Sequence, residues 1–343
     1  MATTGIQIVL RERPAGRVDG RCFEVIRAEP SPPDEGEVLV RTCWLAFAPA
    51  QRGYLNDVPS YVPPVAIGEV MRATGVGQVV ESRHPDVAPG DLVLGNLGWQ
   101  EYCTIAAAEL ERLPADVDPR LALNVLGATG LTAYVGMKLL GQPRVGDTVL
   151  VTAAAGATGS LAGQIARALG ARTVIGTAST AKKRAWVRDV AGFDDCIDYR
   201  DEHVFRLLRA AAPRGFDVVF DNVGGALLDD ALANLALGAR VVLCGAISTG
   251  YQPKRAEVGL RNYQFLTTKR ARMEGFIVFD HAARFAEARA EMRSWIDAGR
   301  LRWAEDIVEG LEHAPATLQR LFDGQNLGKQ LLQVADPEPP SRR

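Results

Sequence analysis

The sequence predicts an α/β protein with a β-rich domain followed by a doubly wound parallel sheet. Three observations predict it. A buried-looking apolar run, Thr148-Val-Leu-Val151, turns sharply on Gly156 and Gly159 and opens a helix. From about 126 to 280, strand-like and helix-like segments alternate. The first 125 or so residues differ: they are rich in Pro, Gly and Val and break into short alternating runs.

In the first region, Glu37-Val-Leu-Val-Arg-Thr42, Gly75-Val-Gly-Gln-Val-Val80 and Gly90-Asp-Leu-Val-Leu-Gly95 read as short strands of a barrel-like domain. The second region offers strands at 148–152, 172–176, 195–199, 216–221, 239–244 and 273–279, with helices between them. Such alternation predicts a parallel sheet. A long helix is expected at roughly 282–298 and another from Ala314 to Phe322. Gly328 to Val334 reads as a last strand that rejoins the first domain. The expected division is therefore 1–125, completed by about 305–335, and 126–304. A disordered tail is expected at 336–343.

The 343 residues suit two domains or one large one, and an apolar content of 47% supplies sizeable cores. A net charge of −2 points away from nucleic acid and anionic membrane. No apolar run is long enough to span a bilayer. The opening Met-Ala-Thr-Thr-Gly lacks the basic and apolar regions of a secretory leader. Cys22, Cys43, Cys103, Cys196 and Cys244 are scattered and odd in number, as expected of reduced thiols in a cytoplasmic protein.

The turn Ala153-Ala-Ala-Gly-Ala-Thr-Gly159 carries the main functional signal. Strand, glycine turn and helix together present bare backbone N–H groups to a pyrophosphate. Ala155, Gly156, Ala157, Thr158 and Gly159 are the cofactor-binding candidates. At Gly156 a Cβ would obstruct a phosphate, and at Gly159 the helix packs on the first strand. Ala154 occupies the place of the usual first glycine. After the turn, Leu161, Ile165 and Leu169 line one helix face, and Gly170 ends it. The alternative is a small-residue turn with no ligand.

NAD sites usually place an acid about 20 residues past the glycines, to hold the ribose 2′-OH. Here that place reads Gly176-Thr-Ala-Ser-Thr-Ala-Lys-Lys-Arg184, two hydroxyls followed by three cations. Those groups suit a 2′-phosphate and predict NADP(H) over NAD(H). Ser179 or Thr180 also suits the cap of the next helix, so an ordinary basic helix start is the alternative. Asn222, Cys244, Gly245 and Ser248 fall at the ends of two central strands, where open sheets bind ligands. Asn222 equally suits a turn cap.

These segments, with Gly130-Leu-Thr-Ala-Tyr134, Phe220-Asp-Asn-Val-Gly-Gly225, Val242-Leu-Cys-Gly-Ala-Ile-Ser248, Arg272-Met-Glu-Gly-Phe276 and Gly324-Gln-Asn-Leu-Gly-Lys329, resemble the zinc-independent medium-chain dehydrogenase/reductase superfamily. More narrowly, the chain resembles the group of prostaglandin reductases (leukotriene B4 dehydrogenase type), plant double-bond reductases and bacterial curcumin reductase. The resemblance implies a GroES-like substrate domain and a Rossmann NADP-binding domain. It also implies hydride transfer from NADPH to the β-carbon of an α,β-unsaturated ketone or aldehyde. By it, Lys183 meets the 2′-phosphate and Tyr199 lies beside the adenosine phosphate. Asn222, Ser248, Tyr251 and Asn326 make further cofactor contacts. Phe276, Ile277 and Val278 flank the carboxamide, with Thr132 near the nicotinamide.

One stretch departs from the group. Its usual Asp-Pro-Tyr-x-Arg is replaced by Ala48-Pro-Ala-Gln-Arg52, which removes an acid and an aromatic ring. The substrate pocket is expected to include Ala50, Arg52, Tyr54 and Asn262, with Arg261 and Asn262 on a lid. Where other superfamily members hold zinc, this chain has Ala66-Ile-Gly-Glu69-Val without a histidine, and no Cys-x-x-Cys. A metal-free enzyme is expected, because zinc needs three or four converging ligands. Tyr134-x-x-x-Lys138 mimics a short-chain dehydrogenase pair but precedes the glycine turn, so a helix surface is expected there.

Alkene reduction needs alignment of hydride donor and β-carbon, and stabilisation of the developing enolate. Tyr61 and Tyr263 are the candidate hydroxyl donors, with Tyr54 behind and the cofactor's ribose 2′-OH a rival. Each tyrosine also suits a rim or core aromatic. A homodimer joined at a sheet edge near Arg240–Ser248 is expected from the superfamily. A quinone oxidoreductase and a non-catalytic NADPH-binding protein are the alternative readings.

Overall fold

The computed structural model describes residues 4–114, 117–252 and 259–338. They divide into two compact units. The first takes the described residues of Met1–Asn124, Tyr251–Pro253 and Glu305–Arg343. The second takes those of Val125–Gly250 and Lys254–Ala304.

The first unit is β-rich. Gly5–Leu10 and Phe23–Ala28 form an antiparallel pair. A seven-stranded sheet runs in the order Glu305–Glu309, Lys329–Gln333, Glu37–Ala46, Thr74–Ser82, Leu92–Asn96 and Glu111–Arg112, with Tyr102–Ala106 also paired to Glu37–Ala46. Alternation along these strands buries one face. Trp99, Phe23 and Phe47 pack together at its centre, with ring centroids 5.0 and 5.6 Å apart. The C-terminal strand Lys329–Gln333 pairs antiparallel to Glu37–Ala46, with Leu331 opposite Ala46. The tail expected to be disordered from Asp336 stays ordered through Glu338. Glu338 pairs with Arg41 at 2.8 Å, and its backbone exchanges hydrogen bonds with the Gln78 amide. Residues 339–343 lie outside the described residues.

The second unit holds a six-stranded parallel sheet, the expected doubly wound architecture. Its order is Asp195–Asp198, Thr173–Ala178, Thr148–Val151, Phe216–Asp221, Leu235–Leu243, Arg272–Gly275. The order reverses between Thr148–Val151 and Phe216–Asp221, which creates the crevice where such sheets bind ligands. Near-continuous runs of Val, Leu and Ile put the central strands inside, and Val149, Leu150, Val218, Val219 and Phe220 have no exposed surface.

Two expectations need correction here. The strand expected at 273–279 ends at Gly275, opposite Leu243, and Val278 already starts a short helical turn. The seam expected at Arg240–Ser248 is not an open edge. Arg240 to Leu243 pair on both sides, with Val218–Asp221 and with Arg272–Gly275. Arg240 is also buried, its guanidinium bound to Gly141 O, Gln142 O and the Asp147 carboxylate.

Candidate functional site

The glycine turn is built as its residue types require. After Val151 the chain turns through Ala153, which adopts a left-handed φ of +50°. That position, rather than Ala154, is where a glycine would relieve strain. Ala154 is fully buried, and its methyl occupies space that Gly176 leaves: a Cβ on Gly176 would lie 2.6 Å from Ala154 Cβ. Gly156 caps the helix Ala157–Ala168 in extended conformation. A Cβ on Gly159 would stand 2.4 Å from Ala153 O, so only glycine lets the helix close on the turn. The first-turn N–H groups at Ala157, Thr158 and Gly159 have no intrahelical acceptor and carry the positive end of the helix dipole.

The strand ends beside the turn are tied together by a carboxylate that the sequence reading did not single out. Asp221 is fully buried. Its Oδ1 accepts from Thr152 Oγ1 at 2.7 Å and from Val223 N–H at 3.3 Å, and its Oδ2 accepts from Gly224 N–H at 2.8 Å. Burial pushes the Asp221 carboxyl above its usual range, while those donors oppose the shift. Its backbone carbonyl accepts from Cys244 N–H and Gly245 N–H at 2.8 and 3.1 Å. Asn222 Nδ2 donates to Thr152 O at 2.7 Å. Ser248 Oγ donates to Val223 O at 2.6 Å, and a Cβ on Gly225 would lie 2.9 Å from that hydroxyl. Asn222, Cys244, Gly245 and Ser248 are thus brought to one crevice with the turn. Burial pushes the Cys244 thiol up to about 12.

A cationic corner lies at the end of Thr173–Ala178. Thr180 caps the helix Ala181–Asp189, accepting from Lys183 N–H at 3.2 Å, which leaves Ser179 outside the cap. Arg184 donates to Ser179 O at 2.6 Å and to Asp198 at 2.7 Å. Arg200 forks onto both Asp198 oxygens at 3.0 and 2.9 Å and also reaches Ser179 O. The paired guanidiniums hold the Asp198 carboxyl well below its usual range. Tyr199, beside them, is exposed. Arg200 was not foreseen; its signal is a cation one strand away from the expected phosphate corner. A cradle closed to side chains and a corner of cations fit a dinucleotide bearing a 2′-phosphate.

Other expected cofactor residues occupy different places. Thr132 sits on the helix Ala128–Tyr134, its hydroxyl donating to Ala128 O at 2.7 Å. That helix approaches the preceding chain through Gly130, where a Cβ would fall 1.8 Å from Val125 O. The Phe276 ring packs on Gly136, Ile277 O accepts from Asp280 N–H, and Val278 is buried. Tyr134 and Lys138 both turn to Glu291; in place of the expected helix surface, Tyr134 is fully buried and packed. Tyr263, in the second unit, is exposed at the start of the helix Gln264–Thr268.

In the first unit, Ala50–Tyr54 forms a short helix. Arg52, expected in the substrate pocket, does not face one. It is 2% exposed and donates to Asn56 Oδ1, Pro14 O and Gly16 O at 2.7, 2.9 and 3.3 Å. A guanidinium stripped of water must spend its donors on internal acceptors, and here they brace a loop. Asn56 in turn donates to Tyr251 O at 2.6 Å, and the Tyr251 ring stands edge-on to Phe322. Ala50 is followed one helical turn on by Tyr54. The Tyr54 and Tyr61 hydroxyls lie 3.2 Å apart, and Arg72 sits 5.7 Å from the Tyr54 ring centre. Burial and then the Tyr61 contact raise the Tyr54 phenol's pKa. Asn326 Nδ2 donates to Gly328 O at 2.9 Å. Asn262, also expected in the pocket, belongs to the second unit. Its N–H and Nδ2 both bind the Asp229 carboxylate, which anchors the segment before Gln264–Thr268. Among the described residues, no three His, Cys, Asp or Glu side chains gather as a metal site would require.

Comparison with known proteins adds the following. Residues 6–113 match a family model described as the N-terminal domain of oxidoreductase, and residues 157–294 match one described as zinc-binding dehydrogenase. The chain is 39% identical to NADPH-dependent curcumin reductase of Escherichia coli (strain K12), over 95% of this chain and 96% of that protein. It is 38% identical to the 2-alkenal reductase (NADP(+)-dependent) of Nicotiana tabacum, over 89% of each. The structure superposes on CurA of Vibrio vulnificus in complex with NADPH with a TM-score of 0.92, at 38% identity, covering 97% of this chain and all of that one.

Proposed function

The chain belongs to the zinc-independent medium-chain dehydrogenase/reductase family, and on that premise we propose that it reduces the carbon–carbon double bond of α,β-unsaturated ketones and aldehydes with NADPH. The single observation that carries the choice of NADPH over NADH is the state of Asp198. This carboxylate ends the strand beside Thr173–Ala178; where an NAD site would place its acid the chain has Ser179 to Arg184, and Asp198 steadies Arg184 and Arg200 around Ser179. Ala155–Gly159 supplies the pyrophosphate cradle, and Lys183 reinforces the phosphate corner.

When bound, NADPH supplies the hydride that goes to the β-carbon. The protein's own task is to hold the acceptor and to place a hydrogen-bond donor at its carbonyl oxygen, where negative charge develops. We assign that task to Tyr61, whose hydroxyl is oriented by Tyr54, with Tyr263 as the second candidate. The proton then added to the α-carbon completes a two-electron reduction. Ala50, in place of the family's ring, leaves the acceptor site roomier. The five unpaired cysteines support a cytoplasmic location. A homodimer is proposed through the outer strand Arg272–Gly275, the free edge of the parallel sheet on that side.

The test is a panel assay of the purified protein. With NADPH in excess, enones and enals should yield saturated carbonyls, followed at 340 nm and by mass spectrometry. Turnover of quinones alone would displace this reading. Tight NADPH binding with no turnover of any acceptor would assign a binding role instead.

A further inference from the structure

Thr152 and Asn222 lie 70 residues apart in sequence and are joined by two hydrogen bonds, with a third from Thr152 to Asp221. Thr152 Oγ1 accepts from Asn222 N–H at 2.8 Å. The same hydroxyl spends its one proton on Asp221 Oδ1 at 2.7 Å. Thr152 O accepts from Asn222 Nδ2 at 2.7 Å. A carbonyl can only accept, so this last bond fixes which end of the Asn222 amide is the nitrogen. The amide oxygen is then turned away from Thr152. Thr152 and Asp221 are fully buried, whereas Asn222 is partly exposed at the strand ends. Every contact to the Asp221 carboxylate comes from a donor, so that carboxylate acts as an acceptor throughout. It therefore dictates the direction of the Thr152 hydroxyl, which holds the Asn222 main chain, while the Thr152 carbonyl holds the Asn222 amide.

We propose that Thr152, oriented by Asp221, is a positioning residue that aims the Asn222 amide oxygen into the crevice as an acceptor for a donor group of NADPH. The donors on that cofactor are its ribose hydroxyls, its carboxamide N–H and its adenine amino group. The proposal rests on the reading of Asn222 as a cofactor contact. Neither Thr152 nor Asp221 is a catalytic residue in it, because both are buried and neither faces the crevice. Thr152 also immediately precedes the strained Ala153, so the same hydroxyl registers the glycine turn against the strand end that carries Asn222.

The experiment is a double-mutant cycle read by NADPH binding to the purified, full-length protein. Dissociation constants come from the change in nicotinamide fluorescence, without an acceptor present. Asn222→Ala and Thr152→Val should each raise the NADPH dissociation constant about tenfold. The double variant should be no worse than either alone, because Thr152 acts through Asn222. Thr152→Ser, which keeps the hydroxyl, should bind within about twofold of the unaltered protein, and the KM for the acceptor at saturating NADPH should not move. If Thr152→Val does not fold, Thr152→Ala removes the same hydroxyl and carries the same expectation. Multiplicative effects in the double variant would overturn the proposal, since Thr152 would then be only a structural strut. A normal dissociation constant for the Thr152 variant beside a raised one for Asn222→Ala would overturn it while leaving Asn222 as a cofactor contact. A normal value for Asn222→Ala would remove both.

Discussion

The phosphate turn in the second unit and the Ala48–Tyr61 stretch in the first are built from different materials. The turn is made of backbone. Gly156, Gly159 and Gly176 matter through the side chains they lack, and a single added carbon at Gly159 would lie 2.4 Å from Ala153 O. The Ala48–Tyr61 stretch is made of side chains. Arg52, Asn56, Tyr54 and Tyr61 form bonds that any backbone of similar shape permits. A Cβ added at Gly53 would meet only the edge of the Tyr251 ring, at 4.0 Å. The difference teaches where each part of the function is stored. On the function proposed above, the pyrophosphate cradle is held in positions where side chains are forbidden, and acceptor choice in positions, such as Ala50, where they can change. The family's Asp-Pro-Tyr-x-Arg can therefore become Ala-Pro-Ala-Gln-Arg while the glycine turn is kept.

The largest expected effect breaks the backbone side. Gly159→Ala should weaken NADPH binding by roughly a hundredfold or more, because the helix must back away from the turn to admit the methyl; fluorescence titration checks it. Next comes the buried charged side chain of the other region. Arg52→Met should lower unfolding free energy by about 3 kcal/mol, by stranding Asn56 and two carbonyls. Denaturant titration measures that loss, and the NADPH dissociation constant should stay within about twofold. A change in cofactor binding instead would mean that the two regions are not separable in this way.

Lys183→Ala should raise the KM for NADPH by about twentyfold and that for NADH by less than about threefold, since only NADPH carries the 2′-phosphate. Equal effects on the two cofactors would remove the phosphate corner from the account. The smallest effect is at Gly53. Gly53→Ala should stabilise the protein by about 0.5 kcal/mol, through helix propensity alone. A loss of more than about 1 kcal/mol there would show that backbone constraint reaches the first unit too.

The same contrast explains what the sequence made legible. Apolar runs bounded by glycine exposed the central strands, and the exact span Phe216–Asp221 is readable because its neighbours are turn residues. The turn's chemistry was readable because glycine spacing is local. Arg52 was misread because its acceptors, Pro14 O and Gly16 O, lie 38 and 36 residues earlier. Nothing local separates an arginine that binds substrate from one that braces a loop. Asp221 and Arg200 were missed for the same reason. Their partners, Thr152 and Ser179, are 69 and 21 residues away and become neighbours only through parallel strand pairing. The Arg240–Ser248 seam failed because edge status depends on strand order in the sheet: the strand expected at 273–279 pairs outside Leu235–Leu243, as Arg272–Gly275.

The central claim is that hydride reaches the β-carbon of an activated alkene. The direct measurement uses NADPH deuterated at C4 with a simple enone such as 4-phenyl-3-buten-2-one, and mass and deuterium NMR spectra of the product. The account predicts a saturated ketone with one deuterium, at the β-carbon. An allylic alcohol with deuterium on the carbinol carbon would contradict it, since the carbonyl rather than the alkene would then be the group reduced.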